Sequence, residues 1–154
     1  METVIATAKV ATVVNEVGLG LIIRTLTSVT SNIIVLSKKL TSYDQPYAKD
    51  VVNELNKLDL ECNISIMDAL VKEHEDKSLP ESVQISLKSV SDILELMHNE
   101  LTVIHKMIED HNSLWWNTWR VLDCTKNIEV MKGHKLLFSE RYKLLLDLLK
   151  INNK

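Results

Sequence analysis

The chain has 154 residues, 45% of them apolar and 25% charged, with a formal net charge of −3. That balance fits one globular domain large enough to bury a core and excludes a disordered chain. Three glycines and two prolines are too few for the many turns of a sheet protein, and the charge lacks the basic excess by which nucleic-acid binders neutralise phosphates.

The first segment, Thr3 to Leu40, opens on an apolar run from Val4 to Ile23. It is as long as a membrane span but carries Lys9, Asn15 and Glu16, which would be costly in the middle of one. Met1-Glu-Thr opens with an acid where a secretory signal would carry positive charge. A buried helix is therefore the expectation. The alternative is membrane contact through Val4, Ile5, Val10, Val13, Val14, Leu19, Leu21, Ile22 and Ile23. Gly18 and Gly20 weaken the helix and predict either a bend or a break near Val17–Gly20. Beyond them, Leu26, Val29, Ile33 and the stretch from Leu36 to Leu40 resume a helical spacing, opposite small polar residues such as Ser28 and Ser31.

The second segment begins at Tyr43-Asp44-Gln45-Pro46, where Asp44 reads as an N-cap and Pro46 as a first-turn residue. Val51, Leu55, Leu58, Cys62, Ile66 and Ala69 then recur as one stripe of a single amphipathic helix, which should end in the charged turn from His74 to Lys77.

The third segment carries the clearest pattern. Ser78-Leu-Pro-Glu81 reads as a capping box. Val83, Leu87, Val90, Leu94, Met97, Leu101, Ile104, Ile108, His111 and Trp115 follow with alternating spacings of four and three. Ile93, Leu96, Val103, Met107 and Leu114 widen the apolar face, which favours a bundle core over a narrow coiled-coil seam. After a break at Arg120–Lys126, which Asp123 or Thr125 can cap, a fourth segment places Ile128, Met131, Leu137, Phe138, Tyr142, Leu145 and Leu149 on its core side. Leu144, Leu146 and Leu148 add breadth, and Gly133 weakens its first half. The expected architecture is all-α: an up-and-down bundle of four main helices forming one domain over residues 1–151, with a fraying tail over 152–154.

Little chemistry is visible. There is no Gly-rich phosphate loop, Ser/His/Asp signature or Cys-x-x-Cys pair. Cys62 and Cys124 read as reduced core thiols, which favours an intracellular, cytoplasmic chain. His98, His105 and Glu109 share one helix face, but no Glu-x-x-His pair falls on an inward stripe, so solvated or interface histidines are expected rather than metal ligands. Lys132, Lys135, Arg141, Lys143 and Lys150 interleave with Glu129, Glu140 and Asp147, the pattern of a solvated face with helix ion pairs.

All three tryptophans fall in Leu114-Trp115-Trp116-Asn117-Thr118-Trp119-Arg120. Trp115 continues the heptad stripe and is expected in the core, with Trp119 stacked on it and Arg120 over an indole. Trp116 points about 100° away and is the indole expected to be exposed. Either the rings close the end of the core, or Trp116, Trp119 and Arg120 form an interaction surface, since tryptophan anchors both protein and membrane interfaces.

The layout of apolar first segment (Val4–Ile23), long third helix (Val83–Trp115), aromatic turn (Trp115–Arg120) and Leu-rich fourth helix (Leu137–Leu149) resembles the N-terminal four-helix-bundle domains of the HeLo and mixed-lineage-kinase-like class. That resemblance implies self-association, relay of signals to partners and, in some members, membrane disruption. This chain departs from it in lacking a basic lipid-binding face, and it is expected to act without an attached kinase or nucleotide-binding domain. His111-x3-Trp115-x3-Trp119-Arg120, with His134 and Arg141 before a Leu-rich end, also looks like uncharacterised helical proteins of large DNA viruses, which implies an infected host cell as the setting. The expected function is a non-enzymatic protein-interaction module, self-associating as a homo-oligomer, with no cofactor, nucleic acid or small-molecule substrate. The alternative is a membrane-associating or membrane-disrupting helical bundle, membrane-peripheral and acting through the apolar N-terminal helix.

Overall fold

The computed structural model describes the backbone of residues 2–153 and the side chains of residues 18–153. Among the described residues there are five α-helices: α1 (Glu2–Thr41), α2 (Lys49–Leu58), α3 (Leu60–Lys72), α4 (Glu81–Asn112) and α5 (Thr125–Asn152). A 3-10 turn, Pro46–Ala48, leads into α2, and there is no strand among the described residues. Because α2 and α3 run on almost directly, they form one rod, and the bundle has four.

α1 continues through Gly18 and Gly20 without a break. From Ile23 onward it buries Leu26, Val29, Ile33 and Leu40. The buried Thr30 hydroxyl lies 3.0 Å from Asp68 Oδ1 and 2.8 Å from the Thr27 carbonyl, and Asp68 also pairs with Lys72 at 2.8 Å. Together with the Lys38–Glu61 ion pair at 3.3 Å, this fixes α1 antiparallel to α3.

The second segment departs from the single predicted helix. Asp59 sits in the left-handed region at φ 49, ψ 44, and both Asn63 N–H and Asn63 Nδ2 donate to its carbonyl, at 3.3 and 2.8 Å. One left-handed residue ends α2 and restarts the chain in a new phase. Val51, Leu55 and Leu58 are buried as expected, but the stripe resumes at Leu60, Ile64, Met67 and Val71. Cys62, Ile66 and Ala69, the predicted continuation, face solvent instead. The predicted caps also shift. Gln45, extended ahead of Pro46, takes the cap position rather than Asp44. Likewise Ser78 does not cap α4: Leu79 precedes a proline and is disfavoured as helix, so the helix opens at Glu81 with Pro80 at the cap. Gln84 Nε2 donates to the Leu79 carbonyl at 2.8 Å and takes up the end of that loop.

α4 is the central rod. Every member of its 4-3 stripe from Val83 to His111 is buried. It packs most extensively against α5 on one side and α1 on the other. Tyr43 at the end of α1 donates to Glu109, and Tyr47 to Asn112 Oδ1 at 2.5 Å, so the two C-terminal ends lie together and α1 and α4 run parallel. α5 runs antiparallel to α4, in a register set by Asn127 Nδ2 donating to Glu100 at 2.7 Å and an Arg141 guanidinium N–H donating to the Ser89 carbonyl at 2.9 Å. Ile128, Met131, Phe138, Leu145 and Leu149 are its buried face, with the Tyr142 ring stacked on Phe138. Leu137 and Leu144, predicted inside, are 42% and 55% exposed. α2 closes the ring against α5, where Lys132 bridges Glu54 and Glu129, each at 3.1 Å.

Two stability outcomes follow. Asp59→Val should cost ~1–2 kcal/mol, the penalty of a branched side chain in the left-handed region, while Asp59→Gly should match or exceed wild type. Ile104→Ala, at the middle of the buried stripe, should cost ~2–5 kcal/mol by leaving a cavity. Urea unfolding curves measure both. Equal midpoints for Asp59→Val and Asp59→Gly would show that the backbone at Asp59 is not left-handed.

Candidate interaction surface

α4 stops at Asn112 because its last turn is diverted. The buried His111 ring donates through Nε2–H to the Asn117 carbonyl at 2.9 Å and packs 4.4 Å from the Tyr47 ring. From there the backbone makes successive turns: Leu114 N–H to His111, Asn117 N–H to Leu114 and Trp119 N–H to Trp116, at 3.1–3.2 Å. Asp123 closes the segment by accepting from the Thr125 backbone N–H at 3.0 Å, and its carboxyl is held below the usual range, first by the Thr125 side chain and then by that backbone donor. On the inner side, burial and then the hydrogen bond to Glu109 raise the Tyr43 phenol well above its ordinary value. The Tyr47 phenol is raised for the same leading reason.

This turn reverses the expected roles of the tryptophans. Trp115 is 84% exposed rather than in the core, because the helix that would have carried it inward ends three residues earlier. Trp119 is 85% exposed, and Val121 beside it equally so. Trp116, expected to be the most exposed, is the most covered of the three at 36%. Trp115 does not stack on Trp119; it meets Trp116 edge-on at 4.9 Å. Arg120 is exposed and lines two open clefts of about 500 and 460 Å³ on either side of the turn. Trp116, Trp119 and Arg120 thus share one segment, with Trp115 and Val121 as the members that sequence reasoning missed. The signal that could have found them is Asn112-Ser113, a pair of weak helix formers that ends the stripe.

The other predicted positions are scattered. Of the membrane-contact set, Val4, Ile5, Val10, Val13 and Val14 lie outside the residues whose side chains are described. Ile23 is buried, Leu19 and Ile22 pack partly against the core, and Leu21 faces solvent. Among the described residues, Gly18–Thr41 is long and apolar enough to cross a membrane by length and composition, yet its inward side chains belong to the bundle core. His105 Nε2 lies 3.7 Å from Glu109, and among the described residues no group of three or more His, Cys, Asp or Glu side chains converges as metal ligands would. His74, which the sequence did not single out, is buried, its Nδ1–H donating to the Leu70 carbonyl at 2.8 Å. Cys62 is exposed, contrary to expectation, because the phase change at Asp59 turns it outward. Cys124 is buried, and its thiol is pushed up to about 11, by burial first and by Asp123 second.

Two measurements check this geometry. An aromatic thiol reagent at pH 8 should react promptly with Cys62 and reach Cys124 only on unfolding; equal rates would contradict the burial of Cys124. Trp115→Ala with Trp119→Ala should move stability by no more than ~0.5 kcal/mol, as for surface sites without buried contacts. A loss of several kcal/mol would place these rings in the core.

The chain is similar to an uncharacterised protein, L717, of Acanthamoeba polyphaga mimivirus, with 30% identity over 77 residues. Those residues are 50% of this chain and 37% of that protein, so the chain spans well under two thirds of the relative's length. No protein-family model matches the chain, and no solved structure matches it. The likeness to a viral protein is thus supported by sequence, and a HeLo-class match is not found.

Proposed function

We propose that this chain is a non-enzymatic protein-interaction module that self-associates and presents the Trp115–Val121 turn as a docking element. The single observation that carries the reading is the placement of two indoles, each about 85% exposed, on a turn tied down from beneath by His111. Loops usually carry function, and a fixed loop binds with less ordering cost than a mobile one. Buried tryptophan is among the strongest contributors to protein interfaces. The HeLo-like layout, in which self-association is the rule, points the same way, and the viral relative makes a role inside an infected host cell a coherent setting.

The second reading is peripheral membrane contact, favoured by the same indoles and by the apolar composition of Gly18–Thr41. Two experiments separate the readings. Light scattering of the full chain across a hundredfold concentration range should show mass rising above 17.6 kDa; one constant monomer mass would end the self-association reading. Tryptophan emission should stay red-shifted, as for indoles in water, when phosphatidylcholine–phosphatidylserine vesicles are added. A blue shift with co-sedimentation would transfer the turn to the membrane reading.

A further inference from the structure

Four of the five exposed large apolar residues of α5 fall on one line, Leu136 being the exception. Val130, Leu137, Leu144 and Ile151 recur every seven residues along its whole length, each between 42% and 67% exposed. A seven-residue repeat keeps one line facing one partner over many turns, which isolated surface leucines do not do. The position of this line is fixed by the contacts between α4 and α5. Val130 is three residues after Asn127; Leu137 is four before Arg141, and Leu144 is three after it. On α4, Leu96 and Val103 flank Glu100 by four and three, and Ile85 is four before Ser89. Neighbours at three and four share a helix face. Ile85, Leu96 and Val103 are exposed like the α5 line, whereas Met97, Ile104, Met131, Phe138 and Leu145 at the same spacings are buried, so both sets lie on the outer side of the α4–α5 seam and form one apolar face across two helices.

We propose that two copies of this chain pair antiparallel across that face, α5 against α5, about a two-fold axis between Glu140 and Arg141. The proposal rests on the reading that the chain self-associates and adds to it the surface and the orientation. The pattern is its own complement under that symmetry: Val130 meets Ile151 of the second copy and Leu137 meets Leu144. The charges follow the same rule. Glu129 precedes Val130 and Lys150 precedes Ile151, so the ends that come together bring an acid to a base on the same side of the stripe, twice per dimer. Glu129 can turn to this pairing without stranding its present partner, since Lys132 also bonds Glu54. The size is sufficient as well. A 28-residue helix is about 42 Å long, and two packed helices are about 20 Å across, so the face covers on the order of 800 Å² per copy, the standard for a specific interface.

The test uses the full chain with Cys62→Ser, so that introduced thiols report alone. Light scattering should give a dimer. Leu137→Glu with Leu144→Glu should weaken it by ~100-fold or more while the helical circular dichroism is retained, since both sites face solvent in the monomer. If that variant unfolds, the charge pair answers instead: Glu129→Lys and Lys150→Glu should each weaken the dimer, and the two together should restore it. Mild oxidation of a mixture of Leu137→Cys and Leu144→Cys chains should cross-link one to the other, with little product from either alone. A monomer at every concentration would overturn both the association reading and this interface. A dimer that persists with both glutamates, or one lost instead with Trp115→Ala and Trp119→Ala, would overturn the interface and leave association standing. Cross-linking of Leu137→Cys to itself would show a parallel pairing and overturn the proposed symmetry.

Discussion

The 4-3 stripe of α4 imposes most of this structure. Between Val83 and His111 it buries a side chain on nearly every turn, and flanking residues such as Ser86, Ser91 and Ile93 are buried too. A face this wide cannot be covered by one neighbour, because helices pack 8–10 Å apart and each covers only part of a cylinder. α4 therefore needs α1 on one flank and α5 on the other. Since α1 and α4 run parallel, the chain must return between them, and the α2–α3 rod makes that return. The rod closes the ring at the far side, packing on α1 through α3 and on α5 through α2.

That return explains the break at Asp59. A straight helix from Lys49 to Lys72 would carry its Val51–Leu55–Leu58 stripe on to Cys62 and Ile66 and leave Leu60, Ile64, Met67 and Val71 in water. Burying each of these is worth ~1.5–3 kcal/mol, whereas one left-handed residue costs ~1–2 kcal/mol, and an aspartate tolerates that conformation better than most. Burying Leu60, Ile64, Met67 and Val71 in place of Cys62, Ile66 and Ala69 is a net apolar gain that outweighs one strained residue. Asn63, with two donors to the Asp59 carbonyl, offsets part of the cost.

The α4 stripe was legible in the sequence because nine positions from Val83 to His111 repeat one rule and each reinforces the others. So were the four-rod architecture and the inward face of α5 at Ile128, Met131, Phe138, Leu145 and Leu149. The phase of α3 was not: Cys62, Ile66 and Ala69 continue the spacing of α2 unbroken, whereas the more apolar Leu60, Ile64, Met67 and Val71 face inward only after a phase reset at Asp59, which spacing alone does not announce. The tryptophan turn failed for a different reason. Extending a heptad by one more step assumes that the helix continues, but the His111 imidazole bonds forward to Asn117 and pulls the chain off the axis. That bond joins residues six apart in a non-repeating segment, and no periodicity announces it. Leu137 and Leu144 were misplaced because leucines on both sides of α5 satisfy a spacing rule that does not say which side faces in.

The two exposed apolar surfaces differ in kind, and the difference bears on how they would work together. The α5 stripe is long, regular and self-complementary, suited to a second copy of itself. The tryptophan turn is a short segment with two indoles each about 85% exposed, and two such segments could touch over only a small area, so under the proposed function it would serve a different molecule. The turn leads directly into the N-terminal end of α5. An antiparallel α5 pair would therefore place its two tryptophan turns at opposite ends of the dimer, separated by roughly the 42 Å length of the helix. A module of that shape can hold two partner molecules at a fixed spacing, or grip two sites on one assembly. In the second case even weak single contacts become strong, because the second binding event is intramolecular and gains from effective concentration. Under the proposed pairing the stripe on α5 would set the distance and the indoles would supply the contact.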